Sequence, residues 1–588
     1  MSEFDELLTH PLFAPEAPLG GAERHEVTYR RLEMLSRFAG GAAALRKDRA
    51  RLVEMLAWAG VVDPPVFLAG LVQHAVCYEA MASLGHRSRY LDAVMDEIDR
   101  GEAHGSILVT EVGYGNSHLG CGTVARWCPA ERLFRLFTPE PGAAKVMANV
   151  AGLAGGGRNA VVYARVEDAS GLGGVFPFAV RLRHGVDAPE GLRVRAMPET
   201  AGMPLDYALV TFDGMPVPVE GWLRDTAALA KNQRMVLDDL DVPGRTVRSL
   251  SVSANASAVT AAACAAASRA AVATGLRFSS ERMTRGRFGR DVPVLEFSTQ
   301  RDALYGALAR VWAVGAFVDQ AVGEFTHPGG RVAEATAGGS SATWAPWASV
   351  SRDGALAKAA AADVLGVACA ATRERSGALG FAGVNRIGVW ESLGQAAQAA
   401  AGDTLLVRLD AARQLVEDDT FRVQLEKVPS DDWSQTSTAV HLADVRSQSL
   451  LQEVRWRLDM APEEQRETLE TWNPLLPMLV EIADAHTVRK VLRAATEACD
   501  GSAGQRALLH LYGLWSVRSH MGWFLEKGVL SRSAAQSMRS AWREAVDAVH
   551  SRVPRLVEEL DVPPERTGAA GAGPEFVTGV LEASRRVL

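Results

Sequence analysis

Thr110-Glu111-Val112-Gly113-Tyr114-Gly115-Asn116 puts a short β-forming run ahead of a Gly-x-Gly turn. A strand end followed by such a turn leaves backbone donors beside an open surface, which suits a planar heterocycle. The plainer reading is a strand and a tight turn. A dinucleotide fingerprint is excluded, because Gly113 and Gly115 lack a third glycine at the right offset and a βαβ setting. Further on, Arg285-Gly286-Arg287-Phe288-Gly289 is followed by Gln300. A guanidinium fork matches two phosphate oxygens, although an exposed basic helix end would look the same. A third segment runs from Asn385-Arg386-Ile387 to Gln398-Ala399-Ala400-Ala401-Gly402-Asp403-Thr404. Ala401 in this segment carries only a methyl, which cannot take a proton. Glu391 and Asp410 read as solvated or structural carboxylates.

Other chemistries find no motif. The thirteen histidines show no metal-ligand spacing, and no P-loop or Gly-x-Ser-x-Gly elbow is present. Gly155-Gly156-Gly157-Arg158 lies between predicted strands and reads as a hairpin turn rather than a phosphate cradle.

The elements that must position these residues follow from periodicity. A chain of 588 residues is too long for one core. Helical spacing covers roughly 20 to 105, broken at Asp63-Pro64-Pro65. From 106 the pattern changes to short β-branched or aromatic runs at 106–110, 160–164, 175–180 and 207–212. Helix signals return at about 245, with loops expected at Gly329–Ser351 and Pro563–Pro574. The expected domains are helical (1–105), β (106–225), helical (226–430) and helical again (431–588), an α+β chain.

Charge and composition narrow the partners. A net charge of −8, with acids and bases interspersed, argues against nucleic acid. Ala254 to Leu276 is alanine-rich and polar-dotted, so it reads as a close-packed internal helix, not a membrane span. The N-terminus shows no signal peptide. Six scattered cysteines without a Cys-x-x-Cys pair suggest a reducing compartment, so a cytoplasmic location is expected.

Together these segments resemble the acyl-CoA dehydrogenase and oxidase family, most closely its full-length bacterial oxidases. Thr110 to Asn116 resembles the family's Thr-Glu-x-Gly-His-Gly-Ser, and Arg285, Phe288 and Gln300 its Arg-x-x-Phe-Gly…Gln signature. Ser376-Gly377-Ala378-Leu379-Gly380-Phe381 stands where the family has Cys-Gly-Gly-x-Gly-Tyr. Ala485-His486-Thr487-Val488 and the stretch from Leu511 to Gly528 resemble the oxidases' added C-terminal domain. The resemblance implies a β barrel between helical domains, with an appended helical bundle. It also implies FAD, held by Thr110, Gly113, Gly115, Met147, Asn149, Arg285, Phe288, Gln300, Gly377, Gly380, Asp403 and Thr404. A homodimer is implied as well, because the family's arginine reaches the cofactor of its partner.

The departures gather on the flavin face. In register with the family's Phe-Glu-Gly-Asp-Asn, its catalytic glutamate falls on Ala401. Lys145-Val146-Met147-Ala148-Asn149 replaces Lys-x-Trp-x-Gly, and Tyr114 replaces histidine. Arg285, Phe288 and Gln300 are kept, a pattern that favours changed chemistry over decay. A positioned general base contributes ~10²–10⁴-fold, so the expected substrate forms its carbanion another way. Loss of carbon dioxide from a small-molecule or peptidyl β-keto acid does so. Desaturation, with molecular oxygen as acceptor or as a monooxygenation partner, could follow, as in the family's epoxyketone synthases. The alternatives are an ordinary acyl-CoA oxidase with a relocated base, and a non-catalytic subunit of a heteromer.

Overall fold

The computed structural model describes residues 2–13, 20–116, 120–152, 156–168, 171–183, 188–198, 200, 202–230, 235–236, 242–285, 291–327, 351–400, 402–418, 420–422, 432–573 and 575–585. Phe288 and Ala401 lie outside these residues, as does the loop expected at Gly329–Ser351 except for Ser351. The chain divides into two compact units, one of residues 2–263 with 325–351, the other of 264–324 with 352–588.

In the first unit, helices α1 (Gly21–Phe38), α2 (Arg49–Val62), α3 (Pro64–Leu84) and α4 (Arg89–Asp99) precede the sheet. Pro64 and Pro65 open α3 where missing N–H groups go unmissed. Its middle, Leu71–Tyr78, is wound as a π-helix. The sheet has eight strands: β1 (Ala103–Leu108), β2 (Val124–Cys128), β3 (Leu133–Phe137), β4 (Lys145–Met147), β5 (Gly157–Asp168), β6 (Gly171–Arg183), β7 (Leu192–Ala196) and β8 (Ala208–Pro218). The hydrogen-bonded order is β1-β5-β2-β3-β8-β4, with β6 added to β5 and β7 to β8.

The alternation predicted for these runs is visible in β8, where every second residue from Ala208 to Phe212 is buried. Inside, Phe134 is fully buried and its ring lies 4.9 Å from Trp127, 5.1 Å from Phe178 and 5.3 Å from Trp222. Edge-on and tilted aromatic packing of this kind dominates a small β core. Gly155 is outside the described residues, and Gly157-Arg158 begins β5 instead of forming the turn expected there.

The unit ends with α5 (Val242–Ser249) and the start of α6 (Ser253–Glu281). Along α6 the apolar stretch is 94% buried, as expected for an internal alanine helix. The second unit continues with strands β9 (Met283–Arg285) and β10 (Asp291–Pro293), then α7 (Ser298–Thr326), α8 (Arg352–Arg375), α9 (Ile387–Ala399) and α10 (Thr404–Glu417). Small residues let these helices close up: a Cβ on Gly275 would meet Thr372 Oγ1 at 2.7 Å. A bundle follows of α11 (Thr436–Asp459), α12 (Leu476–Ala498), α13 (Ala503–Ser519), α14 (Met521–Glu526) and α15 (Arg532–His550), closed by α16 (Val553–Glu559) and α17 (Phe576–Arg585).

The loop expected at Pro563–Pro574 is packed rather than loose over its described residues: Pro564–Thr567 and Ala570–Ala572 are short helical turns. Thr567, Gly571 and Ala572 are buried, and Gly571 N–H donates to Asn385 Oδ1 at 2.7 Å. Gly-Ala repeats read as disorder in sequence, yet here their small side chains allow close packing.

Phe134→Ala should lower the unfolding free energy by about 3–5 kcal/mol, read from urea transitions followed by tryptophan fluorescence. A loss below about 1 kcal/mol would mean that the aromatic cluster is not the centre of the β core.

Candidate functional site

The residues expected around a cofactor fall in both units, and each group is built by its own unit. In the first, β1 ends at Leu108 and the chain enters the Thr110–Asn116 turn. Thr110 is exposed, and its hydroxyl makes no hydrogen bond among the described residues. Its carbonyl accepts from Val146 N–H at 3.1 Å, which ties the turn to β4. Gly113 does not leave its donor free: its N–H goes to Gly142 O at 2.8 Å, and a Cβ there would lie 2.8 Å from Gly142 Cα. That glycine is required by backbone contact. Gly115 is open, since a Cβ there would meet nothing nearer than Glu111 O at 4.0 Å.

Beneath the turn sits a buried ion pair that sequence reading missed. Lys145 Nζ is 2.8 Å from Glu111 Oε1, and both side chains are almost wholly buried. The carboxylate also accepts from Gly122 N–H (2.8 Å), Thr123 N–H (2.9 Å) and Thr123 Oγ1–H (2.6 Å). Burial alone would raise the Glu111 carboxyl, but Lys145 and these donors bring it below its ordinary value. Cys121 Sγ lies 3.6 Å from Lys145 Nζ, and burial pushes its thiol up. The pair fixes where β4 delivers Met147, which is partly buried against the β core.

Asn149 has φ +63°, the left-handed region that a glycine would fill without strain. Its side chain is fully buried: Nδ2 donates to Ala69 O (3.1 Å) and Gly105 O (3.2 Å), and Oδ1 stands 3.1 Å from Tyr29 Oη, whose one proton goes to the nearer Asp206 carboxylate. The whole residue, main chain included, is buried, so it presents no surface to a ligand. The same network continues through Tyr29 to Asp206, which also accepts from Gly152 N–H at 2.8 Å and stands 3.5 Å from Arg158.

In the second unit, Arg285 ends β9 with its side chain 78% exposed. Its guanidinium grips Asp291 at 2.9 and 3.2 Å. An exposed pair of this kind contributes little, because water screens it, so an anionic phosphate can take the arginine over. Gln300 Nε2 donates to Arg375 O at 2.9 Å, beside Ser376-Gly377. Gly377 adopts φ +59°, and a Cβ on Gly380 would lie 2.2 Å from Arg373 O. These glycines let the chain fold against itself, and Gln300 is tied to the end of the helix that precedes them.

Gly402 has φ +91° and Asp403 caps α10, accepting from Leu405 N–H (2.9 Å) and Leu406 N–H (3.3 Å). Fully buried Lys358, from α8, donates to Gly402 O at 2.6 Å and stands 3.5 Å from Thr404 Oγ1. No carboxylate pairs with it among the described residues. Burial lowers its ammonium to about 8. The sequence carried one signal for it: a single charge inside Ala355-Leu356-Ala357-Lys358-Ala359-Ala360. Glu391 pairs with Arg373, and buried Asp410 stands 3.4 Å from Arg413.

This assembly of a β sheet between helical segments, with an added helical bundle, is the acyl-CoA oxidase fold. Residues 435–565 match the family model described as acyl-CoA oxidase. Acyl-CoA oxidase 1 from Yarrowia lipolytica has the same fold, with a TM-score of 0.82 and 15% identity, covering 99% of this chain and 89% of that one. Acyl-CoA oxidase-1 of Caenorhabditis elegans, solved with FAD and ATP, gives a TM-score of 0.81 at 16% identity, covering 99% and 90%. Human peroxisomal acyl-coenzyme A oxidase 3 is 26% identical over 326 residues, which is 53% of this chain and 45% of that protein. The match therefore spans less than half the length of this curated relative.

The two buried lysines make stability depend on charge in different ways. Below about pH 8 both folded and unfolded chains hold the Lys358 proton; between about 8 and the ordinary 10.5 only the unfolded chain does. Stability from this group therefore rises with pH across that window. Thermal melts should show the rise in the parent and not in Lys358→Met; equal slopes would refute the burial argument. Glu111→Gln should cost about 3–5 kcal/mol by stranding the Lys145 charge, measured by urea unfolding. Removing both charges in Glu111→Gln/Lys145→Met should recover part of that loss.

Proposed function

We propose that this chain is a FAD-dependent oxidoreductase acting on acyl substrates, and that its substrate reaches a carbanion without a protein base. In this reading it is a tailoring enzyme that decarboxylates and desaturates a β-keto acid. The observation that carries the finer part is that the carboxylates around position 401 are already engaged. Asp403 caps α10, Glu391 pairs with Arg373 and Asp410 stands beside Arg413. Ala401 itself offers only a methyl. Arg245, near the alternative base position of related dehydrogenases, pairs with Asp225.

The residues present fit the cofactor. Thr110 offers an unengaged hydroxyl beside the open Gly115 turn, and Arg285 offers an exposed fork for a pyrophosphate. Bound FAD would supply the hydride acceptor. In this reading the first unit holds the heterocycle at Thr110–Gly115 and Met147; the second offers Arg285 to the phosphates of a partner's cofactor and keeps its own 402–404 turn in place through Lys358. Relatives solved with FAD support the cofactor. Dimerisation and molecular oxygen as acceptor belong to the same proposal.

The purified chain should carry a flavin spectrum; a colourless protein would favour a non-catalytic subunit. Under anaerobic conditions a β-keto acid should bleach it and an acyl-CoA should not. Bleaching by an acyl-CoA would instead indicate a conventional oxidase with a relocated base. Ala401→Glu should create measurable acyl-CoA dehydrogenation, and no gain would count against the register.

A further inference from the structure

A cleft of about 680 Å³ opens in the second unit between the start of α7, the short helix α14 and one face of α15. None of the residues expected around the cofactor lines it. Its size is that of small-molecule sites, which run from ~300 to ~1,000 Å³. One wall is apolar: Met521 and Leu525 from α14 face Met538, Trp542 and Val546, which recur at four-residue spacing along α15. Leu525 is 41% exposed.

The charge of the cleft is uneven. Of its acids, Asp302 accepts from Trp542 Nε1–H, and Asp547 is exposed at the margin, 3.9 Å from Arg301. Arg301 is further paired with Glu296 at 2.5 Å. Three other lining arginines, Arg518, Arg539 and Arg543, are exposed and form no ion pair among the described residues. Arg539 and Arg543 stand one turn apart on α15, so their forks can converge on one anion.

The aromatic ring separates two classes of anionic ligand. Trp542 is buried apart from 8% of its surface, and the Arg518 guanidinium lies 4.6 Å over its ring. It therefore offers no free face on which a nucleotide base could stack. Two methionines instead provide a wall that adapts to a flexible chain.

We propose that this cleft binds a long-chain carboxylate, its alkyl chain along Met521, Leu525 and Met538 and its head among Arg518, Arg539 and Arg543. The proposal does not depend on flavin or on the acyl oxidoreductase reading, so the two can fail separately. The test is calorimetric titration of the purified full chain with dodecanoate, decanol, adenosine triphosphate and inorganic phosphate. Dodecanoate should bind saturably at one site per chain, and decanol much more weakly. Arg539→Glu/Arg543→Glu, at exposed positions, should weaken dodecanoate at least about tenfold. Leu525→Asp should weaken it independently by placing a charge on the alkyl wall. Circular dichroism melts would establish that each variant is folded.

Absence of saturable dodecanoate binding would overturn the proposal. So would unchanged affinity in both folded variants, which would place the carboxylate elsewhere. Tight binding of adenosine triphosphate or phosphate, lost in the arginine variant, would also overturn it by assigning the cleft to phosphate.

Discussion

One hydrogen bond, from Lys358 Nζ to Gly402 O at 2.6 Å, holds the turn on which the candidate chemistry rests. An ammonium inside an alanine-rich helix interface has lost its water, and burying it without an acceptor would be prohibitive. A carbonyl held by a left-handed glycine provides that acceptor, and Thr404 Oγ1 stands within reach as well. The constraint acts in both directions. Gly402 must turn its carbonyl toward α8, and α10 must begin immediately afterwards, so Asp403 is fixed as the cap. The carboxylate nearest position 401 is thus occupied by helix capping, whatever substrate is bound.

The first unit solves a similar problem with a different partner. Lys145 is as buried as Lys358, but Glu111 neutralises it at 2.8 Å, with three further donors completing the carboxylate's shell. An ion pair satisfied this way is a specific lock between the Thr110–Asn116 turn and β4. It fixes a path that delivers Met147 and Asn149 to one end of the sheet. Asn149 then works as a brace, with its amide donating to Ala69 and Gly105. Its backbone is left-handed, which asparagine tolerates better than most residues, and its amide adds side-chain hydrogen bonds that a glycine would lack.

Periodicity made the architecture legible because it reports burial. Strands such as β5, β6 and β8 were visible as β-branched runs, and α6 as an internal helix by its polar-dotted alanines. The side-chain partnerships were not legible, since they join residues far apart in sequence. Lys358 and Gly402 are 44 positions apart, and Tyr29 and Asp206 are 177. Glycine motifs were half legible. Gly113 and Gly380 mark close approaches, but the neighbours are the chain's own Gly142 and Arg373 backbones. In the C-terminal stretch, small residues that looked like a linker form a buried turn against Asn385. Low complexity gives no sign of whether small side chains face solvent or a tight contact.

These constraints sharpen what alanine at position 401 means. On the proposed register, a decayed site would be free to lose the lysine, the glycine or the cap as well. Instead the supports remain: Lys358 is buried on Gly402, and Asp403 caps α10. A scaffold of this kind holds Gly402, Asp403 and Thr404 in place, and the residue between Ala400 and Gly402 carries only a methyl. In the proposed reading this suits a substrate whose own bond cleavage releases the electron pair. The protein's contribution would then be to orient that bond, a task for which a rigid turn matters more than a base.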